Sequence, residues 1–327
     1  MKVLVTGAAG YVGAHVCSEL LKLGHEVIGV DNLSTGRMAF VSQEIEFHEG
    51  SVQNLDFMRG VLLSSPNPSD ASVIHCAGLK FAGESVKDPL SYFESNSFSV
   101  FTLVALMKEF SMRNLVFSSS CSVYGNTNHG VSVNEEHPKN PVSPYGRSKL
   151  FAESIISDAV GAGIIKAVSL RYFNVAGNAK ISAFDLSPFN LLPNLFRAVS
   201  ERKPFKIYGN AHGTFDGTCV RDYVDVSTLS RAHISVLDKL VSGQELRDSY
   251  NLGSGFGASV LEIANIVREK IAPELQLEFS EARPGDPASI LADTSLAERD
   301  LNWRHDLSVE EVVLSSWDAW NKNSNFL

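Results

Sequence analysis

Lys2-Val3-Leu4-Val5-Thr6-Gly7-Ala8-Ala9-Gly10-Tyr11-Val12-Gly13 reads as a strand, a glycine turn and the start of a helix. Val3, Leu4 and Val5 suit a buried strand, and Val12, Val16, Leu20, Leu21 and Leu23 follow the spacing of a helix. Gly7 allows a sharp turn, Gly10 lets the backbone approach a pyrophosphate, and Gly13 permits close packing of helix on strand. Phosphates would then face the helix N-terminus. The spacing is G-x-x-G-x-x-G, a variant of the dinucleotide fingerprint G-x-G-x-x-G. A second strand over residues 26–30 runs into Asp31, where a carboxylate can bond the adenosine ribose hydroxyls and repel a 2′-phosphate. The cofactor expected from this stretch is NAD rather than NADP; a plain glycine turn with a capping aspartate is the simpler alternative.

Further along, Tyr145-Gly146-Arg147-Ser148-Lys149 follows the serine run Ser118-Ser119-Ser120. Tyrosine and lysine four residues apart share one helical face. A phenol titrates near 10, and an ammonium beside it stabilises the phenolate. Reaching 7 takes about 4 kcal/mol of differential interaction, part of it from Lys149 and part from a second positive charge such as an oxidised nicotinamide ring. Tyr145 is therefore the candidate base and Lys149 its helper. A bare Y-x-x-x-K also occurs on ordinary surface helices, so this pair gains meaning only beside the glycine turn.

Strand candidates over residues 2–6, 26–30, 45–48, 72–75, 114–118 and 166–170 alternate with helices, the longest over 89–110 and 145–160. That alternation predicts a parallel sheet covered on both faces. Asp31, Ala77-Gly78, the serine run and Tyr172-Phe173 then open on one sheet edge, where α/β folds bind ligands. Residues 178–188 are small and polar, as in a loop. The formal charge of −9 over 327 residues speaks against general affinity for nucleic acid or anionic membranes, and leaves any phosphate to a few local arginines. Four cysteines without C-x-x-C spacing suit a reducing compartment, and Cys121 reads as a packing residue. Without a signal peptide or a run near 20 apolar residues, a cytoplasmic location is expected. The histidines show no ligand spacing, so no metal is expected.

Gly7 to Gly13, Ala77-Gly78-Leu79-Lys80 with Gly83-Glu84-Ser85, Phe117-Ser118-Ser119-Ser120 with Val123-Tyr124-Gly125, Arg171-Tyr172-Phe173-Asn174, and Asp216-Gly217-Thr218 with Val220-Arg221-Asp222-Tyr223 together resemble the extended short-chain dehydrogenase/reductases that epimerise nucleotide sugars. The likeness runs over nearly the whole chain. It implies an α/β fold, a Rossmann-type doubly wound parallel sheet with a smaller, discontinuous α/β substrate domain. The division implied is 1–174 plus about 221–255 for NAD, and about 175–220 plus 256–327 for the nucleotide sugar.

The activity implied is reversible oxidation of a UDP-hexose at C4, interconverting the galacto and gluco epimers. Ser120, Tyr145 and Lys149 would be catalytic. The resemblance assigns NAD to Gly7, Gly10, Tyr11, Val12, Gly13, Asp31, Asn32, Ser34, Ser51, Val52, Cys76, Ala77, Gly78, Lys80, Asn96, Ser118, Tyr145, Lys149 and Tyr172. It assigns the substrate to Lys80, Ser120, Tyr145, Phe173, Asn174, Asn190, Leu191, Ile207, Tyr208, Arg221, Arg283, Asp286 and Ile290. A homodimer is implied too, built from helices 89–110 and 145–160, the first carrying Phe98, Phe101, Val104 and Ala105.

Two positions depart from the pattern. Ser51 stands where an aspartate usually meets the adenine, and Asn96-Ser97-Phe98-Ser99-Val100 lacks the usual asparagine-glycine-threonine continuation. Rival readings are a dehydratase or decarboxylase, disfavoured because Ser120-Cys121-Ser122-Val123 holds no carboxylate, a reductase, and a non-catalytic NAD sensor, disfavoured because Tyr145 and Lys149 are both present. Ile290 falls where a tyrosine often fills space near the sugar C2 substituent, so a 2-acetamido sugar is expected to fit.

Overall fold

Val3, Leu4, Val5, Val73, Ile74 and Val116 are fully buried, which is what strands covered by helices on both faces require. The computed structural model describes residues 1–126, 131–283 and 287–323. In chain order it begins with β1 (Lys2–Thr6), α1 (Tyr11–Lys22), β2 (Glu26–Asp31), β3 (Glu46–Glu49), α2 (Leu55–Ser64) and β4 (Ala71–His75). Next come α3 (Ala82–Lys87), α4 (Pro89–Phe93), α5 (Ser99–Glu109), β5 (Asn114–Ser120), β6 (Ser132–Val133), α6 (Pro144–Gly161) and β7 (Lys166–Tyr172). The remainder comprises β8 (Asn174–Ala176), α7 (Leu191–Glu201), β9 (Phe205–Tyr208), β10 (Val220–Asp225), α8 (Val226–Val241), β11 (Ser249–Leu252), β12 (Gly257–Ser259), α9 (Val260–Lys270), β13 (Leu277–Ser280), β14 (Ser289–Ala292), α10 (Ser295–Leu301) and α11 (Val309–Asn323).

Among the described residues the main sheet runs β11-β7-β5-β4-β1-β2-β3, and every pairing in it is parallel. The chain winds outward from β1 in one direction, then from β4 in the other. The crevice at this reversal is where doubly wound sheets hold dinucleotides. One face is packed by α1 and α8 through Val16, Leu20, Leu229 and Leu237, the other by α2, α5 and α6 through Met58, Leu103 and Ile156.

The structure differs from the sequence expectation in ways that bear on the site. β5 and β7 each extend two residues further, so Ser120 is the last residue of its strand, in register with Tyr172, rather than just past the strand end. The long helix expected over 89–110 is interrupted between α4 and α5 by a π-turn, Glu94–Phe98. Such bulges re-aim side chains. Here Asn96 is turned inward to bind both backbone groups of Leu79, its Oδ1 accepting from N at 2.8 Å and its Nδ2 donating to O at 3.0 Å.

The smaller region contains a sheet ordered β12-β10-β14-β6, with β8 on β10, and a β9–β13 pair. Its core holds Phe196, Ile207, Ile263, Val312 and Trp320 from elements far apart in sequence. The regions interleave: β6 pairs with β14, and Ala297, Leu301 and Trp303 join the cluster of Tyr250 and Leu252 beneath the main sheet. Among the described residues no helix is long and apolar enough to cross a membrane.

Candidate active site

The glycine turn is fixed by its backbone. Gly7 has φ 73°, and its N–H donates to the Val30 carbonyl at 2.7 Å. A Cβ on Gly7 would lie 2.7 Å from the Ala77 nitrogen, and one on Gly13 would lie 2.0 Å from the Gly7 oxygen. α1 starts at Tyr11 with Gly10 as a cap that offers no side chain, so its first amide groups point into the cleft. Free N–H groups and the positive end of the helix dipole favour an anion there. Asp31 is nearly buried and accepts from Ala9 N at 3.0 Å and Leu33 N at 2.8 Å. Burial raises its pKa, and those two backbone donors oppose the rise. A cradle with no room for a Cβ, an uncapped helix start and a carboxylate ending β2 fit a dinucleotide with unmodified ribose hydroxyls.

From this turn a cleft of about 570 Å3 runs to Tyr145 and Lys149. Its lining includes Gly7, Gly10, Tyr11, Val12, Gly13, Asp31, Asn32, Ser34, Val52, Cys76, Ala77, Gly78, Lys80, Ser120, Tyr172, Phe173, Asn174, Asn190 and Leu191. Asn96 and Ser118 stand behind the lining. Asn96 also donates to Ser148 Oγ at 2.9 Å, and the Ser118 hydroxyl meets His233 Nε2 at 2.9 Å. Ser51 is bonded to Gln53, and it is Gln53 that lines the wall. The sequence reading missed Gln53, although a polar side chain just beyond the end of a parallel strand was the available signal.

Residues 177–189, of which 178–188 read as a loop, border the cleft. Gly177 O accepts from Tyr11 OH at 2.6 Å, Ala179 N donates to His15 Nε2 at 3.3 Å, and Ser182 Oγ donates to Ala39 O at 3.1 Å. Asp185 pairs with Lys80 at 3.1 Å, and the Phe81 and Phe189 rings meet edge to face at 4.8 Å. Nothing local in the sequence announces these contacts.

Tyr145 and Lys149 lie in the first turns of α6, which starts at Pro144 and is capped by Ser143 through Gly146 N at 3.1 Å. Both side chains are almost wholly buried. Lys149 Nζ donates to the Ser118 carbonyl at 2.8 Å and lies over the Phe117 ring at 4.9 Å. Burial brings its pKa down to about 8, opposed by Cys76 and Glu153. Burial pushes the Tyr145 phenol up to about 12, and a hydrogen bond with Ser120 acts in the opposite direction. Burial, rather than a neighbouring charge, sets the direction of the phenol's shift. The ammonium is engaged by a backbone carbonyl, and desolvation outweighs what the neighbouring side chains contribute.

On the sugar side the placements are mixed. Arg221, on β10, donates to the Val220 and Pro287 carbonyls at 2.9 and 2.8 Å and draws the Cys121 thiol down against burial, which holds it up at about 12. It stands opposite Ile290 in the strand register, and Ile290 shares a buried cluster with Val123, Tyr124 and Phe173. Arg283 stacks over the Tyr208 ring at 4.0 Å. The Ile207 side chain belongs to the core, because alternation along β9 turns it inward, so only its backbone can face a ligand. Asp286 lies outside the described residues.

Comparison with known proteins matches residues 3–253 to the NAD dependent epimerase/dehydratase family. The UDP-glucose 4-epimerase of Bacillus subtilis is 36% identical over an alignment spanning 99% of this chain and 98% of that protein. The structure of a UDP-glucose 4-epimerase from Stenotrophomonas maltophila with bound NAD and formylated UDP-arabinopyranose superposes with a TM-score of 0.92 at 32% identity, covering 100% of both chains. A UDP-glucose 4-epimerase from Bifidobacterium longum in complex with NAD+ and UDP superposes with a TM-score of 0.89 at 34% identity, again over 100% of both chains.

Proposed function

The chain belongs to the NAD dependent epimerase/dehydratase family, and from that membership we infer that it is a UDP-glucose 4-epimerase, an NAD-dependent isomerase of UDP-sugars. The observation that carries the reading is that Ser120, Tyr145 and Lys149 line one end of the cleft whose other end is the glycine turn. NAD, which Gly7, Gly10, Gly13 and Asp31 would hold, would supply reversible hydride-transfer chemistry at C4.

The chain's own residues do the rest. Tyr145 takes the proton of the C4 hydroxyl and gives it back, and Ser120 shares the hydrogen bond to the C4 oxygen. Lys149, held by the Ser118 carbonyl, would assist the phenol and bond the nicotinamide ribose. Epimerisation needs a firm hold on the nucleotide and a loose one on the hexose. The resemblance assigns Asn174, Asn190, Arg221, Arg283 and Asp286 to the nucleotide. Phe173 lines the cleft, and Ile290, buried in the same apolar cluster, is proposed to back a smooth wall for the sugar. That wall supports turnover of 2-acetamido sugars, with UDP-galactose remaining the better substrate.

We further propose a homodimer. Leu90, Phe98, Phe101 and Phe151 are each at least half exposed, and the Phe98 and Phe101 rings stack at 5.8 Å. Val104, counted with them in the sequence, points instead into the core beneath the sheet. Protein purified without added cofactor is expected to release a dinucleotide on denaturation, and to convert UDP-galactose and its N-acetyl form into their gluco epimers with no net reduction of NAD. An empty protein that makes a dehydrated or oxidised sugar would replace the epimerase reading.

A further inference from the structure

The proton-transfer helix carries a buried charge that none of these roles uses. Glu153 lies one turn beyond Lys149 on α6 and faces Arg171 of β7; the two side chains are 8% and 2% exposed. The contact is two-pronged, with Arg171 Nε donating to Oε1 at 2.9 Å and Nη2 to Oε2 at 2.7 Å. Ser119 Oγ donates to the same carboxylate at 2.6 Å. The remaining arm of the guanidinium reaches Tyr124 OH at 3.0 Å and the Glu135 carbonyl at 3.3 Å. Tyr124 OH donates onward to Asn251 Oδ1 at 2.7 Å.

Every member adjoins the site. Ser119 precedes Ser120, Arg171 precedes Tyr172, and Tyr124 closes the turn that follows Ser120. Neighbouring residues of a strand point to opposite faces. The bonds of Ser119 and Arg171 to Glu153 on one side therefore leave Ser120 and Tyr172 to face the cleft on the other. Resting on the epimerase reading above, we infer that the Glu153–Arg171 pair is a positioning device for proton transfer, locking the strand end that carries Ser120 to the helix that carries Tyr145 and Lys149.

Two arguments support this. Burying two charges is expensive, and apolar residues of similar volume often serve stability as well or better. What the pair adds is direction, since a bidentate guanidinium–carboxylate contact fixes both distance and angle. The carboxylate also acts on Lys149, opposing the effect of burial on its ammonium. The titratable groups coupled to Lys149 are His75 and Cys76 at the end of β4, and Glu153 on its own helix. Of these, only Glu153 is changed in the variants that follow.

The test is steady-state turnover of UDP-galactose by the holoenzyme, with melting temperature measured alongside, for Ser119→Ala, Glu153→Gln and the double variant Glu153→Met with Arg171→Met. Ser119→Ala should lower kcat about 3- to 10-fold at unchanged KM, and Glu153→Gln about 10- to 100-fold. In Glu153→Gln the alkaline limb of the kcat profile should move to lower pH, because Lys149 loses the charge that holds its proton. In Ser119→Ala, which keeps that charge, the limb should stay. The double variant should recover melting temperature and not kcat. Recovery of kcat together with stability, or a parent-like profile for Glu153→Gln, would make the pair merely structural. If the charge variants fail to fold, Ser119→Ala decides alone, and parent-level kcat overturns the inference. A parent protein inert toward UDP-galactose is a separate outcome, which would remove the epimerase reading and this inference with it.

Discussion

The two ends of the cleft are built on opposite plans. At the dinucleotide end, Gly7, Gly10, Gly13 and Asp31 come from one continuous strand–helix–strand unit, and their geometry is set by backbone contacts such as the 2.0 Å that a Cβ on Gly13 would leave to the Gly7 oxygen. At the sugar end, Phe173 and Asn190 line the cleft from separate elements, and the residues proposed to join them, Arg221, Arg283 and Ile290, come from still others, with Arg221 opposite Ile290 in the strand register. A wall made of backbone tolerates almost no substitution. A wall made of side chains can be reshaped, and with it the range of sugars accepted. Tyr145 and Lys149 sit where the two plans meet.

The sharpest way to break this contrast is Gly13→Ala. The added methyl collides with backbone that cannot yield, so the purified variant should carry no dinucleotide and show no turnover, or fail to fold. Retention of cofactor at the parent level, measured by absorbance after denaturation, would mean that the cradle is softer than its geometry implies. Tyr145→Phe comes next. It should lower kcat about 10²- to 10⁴-fold, the range for loss of a proton-transfer group, while calorimetry still shows UDP binding.

Lys149→Met separates catalysis from stability at the junction. Burial lowers the folded-state pKa of Lys149 from 10.5 to about 8. Its charge therefore opposes folding below about pH 8, and the penalty fades as pH rises toward 10.5, where the unfolded chain also sheds the proton. The inactive Lys149→Met protein should be more stable than the parent at pH 7, by at most about 3 kcal/mol. The difference in melting temperature should narrow toward pH 10. A gap that widens with pH would reverse the sign of the argument. The smallest effect belongs to the side-chain wall. Ile290→Tyr should suppress turnover of UDP-N-acetylgalactosamine at least about 10-fold while changing UDP-galactose turnover about 2-fold, a difference of one to two kcal/mol in transition-state binding. Equal loss of both activities would place the closing wall elsewhere.

The same contrast explains what could be read from the sequence. β1 begins and ends where its apolar run does, and Asp31 closes β2 as read, because buried parallel strands and glycine turns are local and leave local marks. Tyr145 and Lys149 were legible because one helical face brings them together. The π-turn that aims Asn96 was not, since its register depends on the Leu79 backbone it meets. Nor was the pairing of Glu153 with Arg171, which looks in sequence like two unrelated charges and becomes a bidentate contact only when β7 is laid beside β5. Within the strap of residues 177–189, only 178–188 was legible, and only as a loop, because its partners, Tyr11, Ala39, Lys80 and Phe81, lie far away in the chain.

The central claim is that the sugar is oxidised at C4 and that the same hydrogen returns to its other face. UDP-galactose carrying deuterium at C4 tests this directly when it is incubated with the purified protein and the product is isolated and analysed by mass spectrometry and proton resonance. The account predicts UDP-glucose that keeps its deuterium at C4, with no reduced dinucleotide accumulating. Loss of the label to solvent, or reduced dinucleotide formed in step with product, would contradict it.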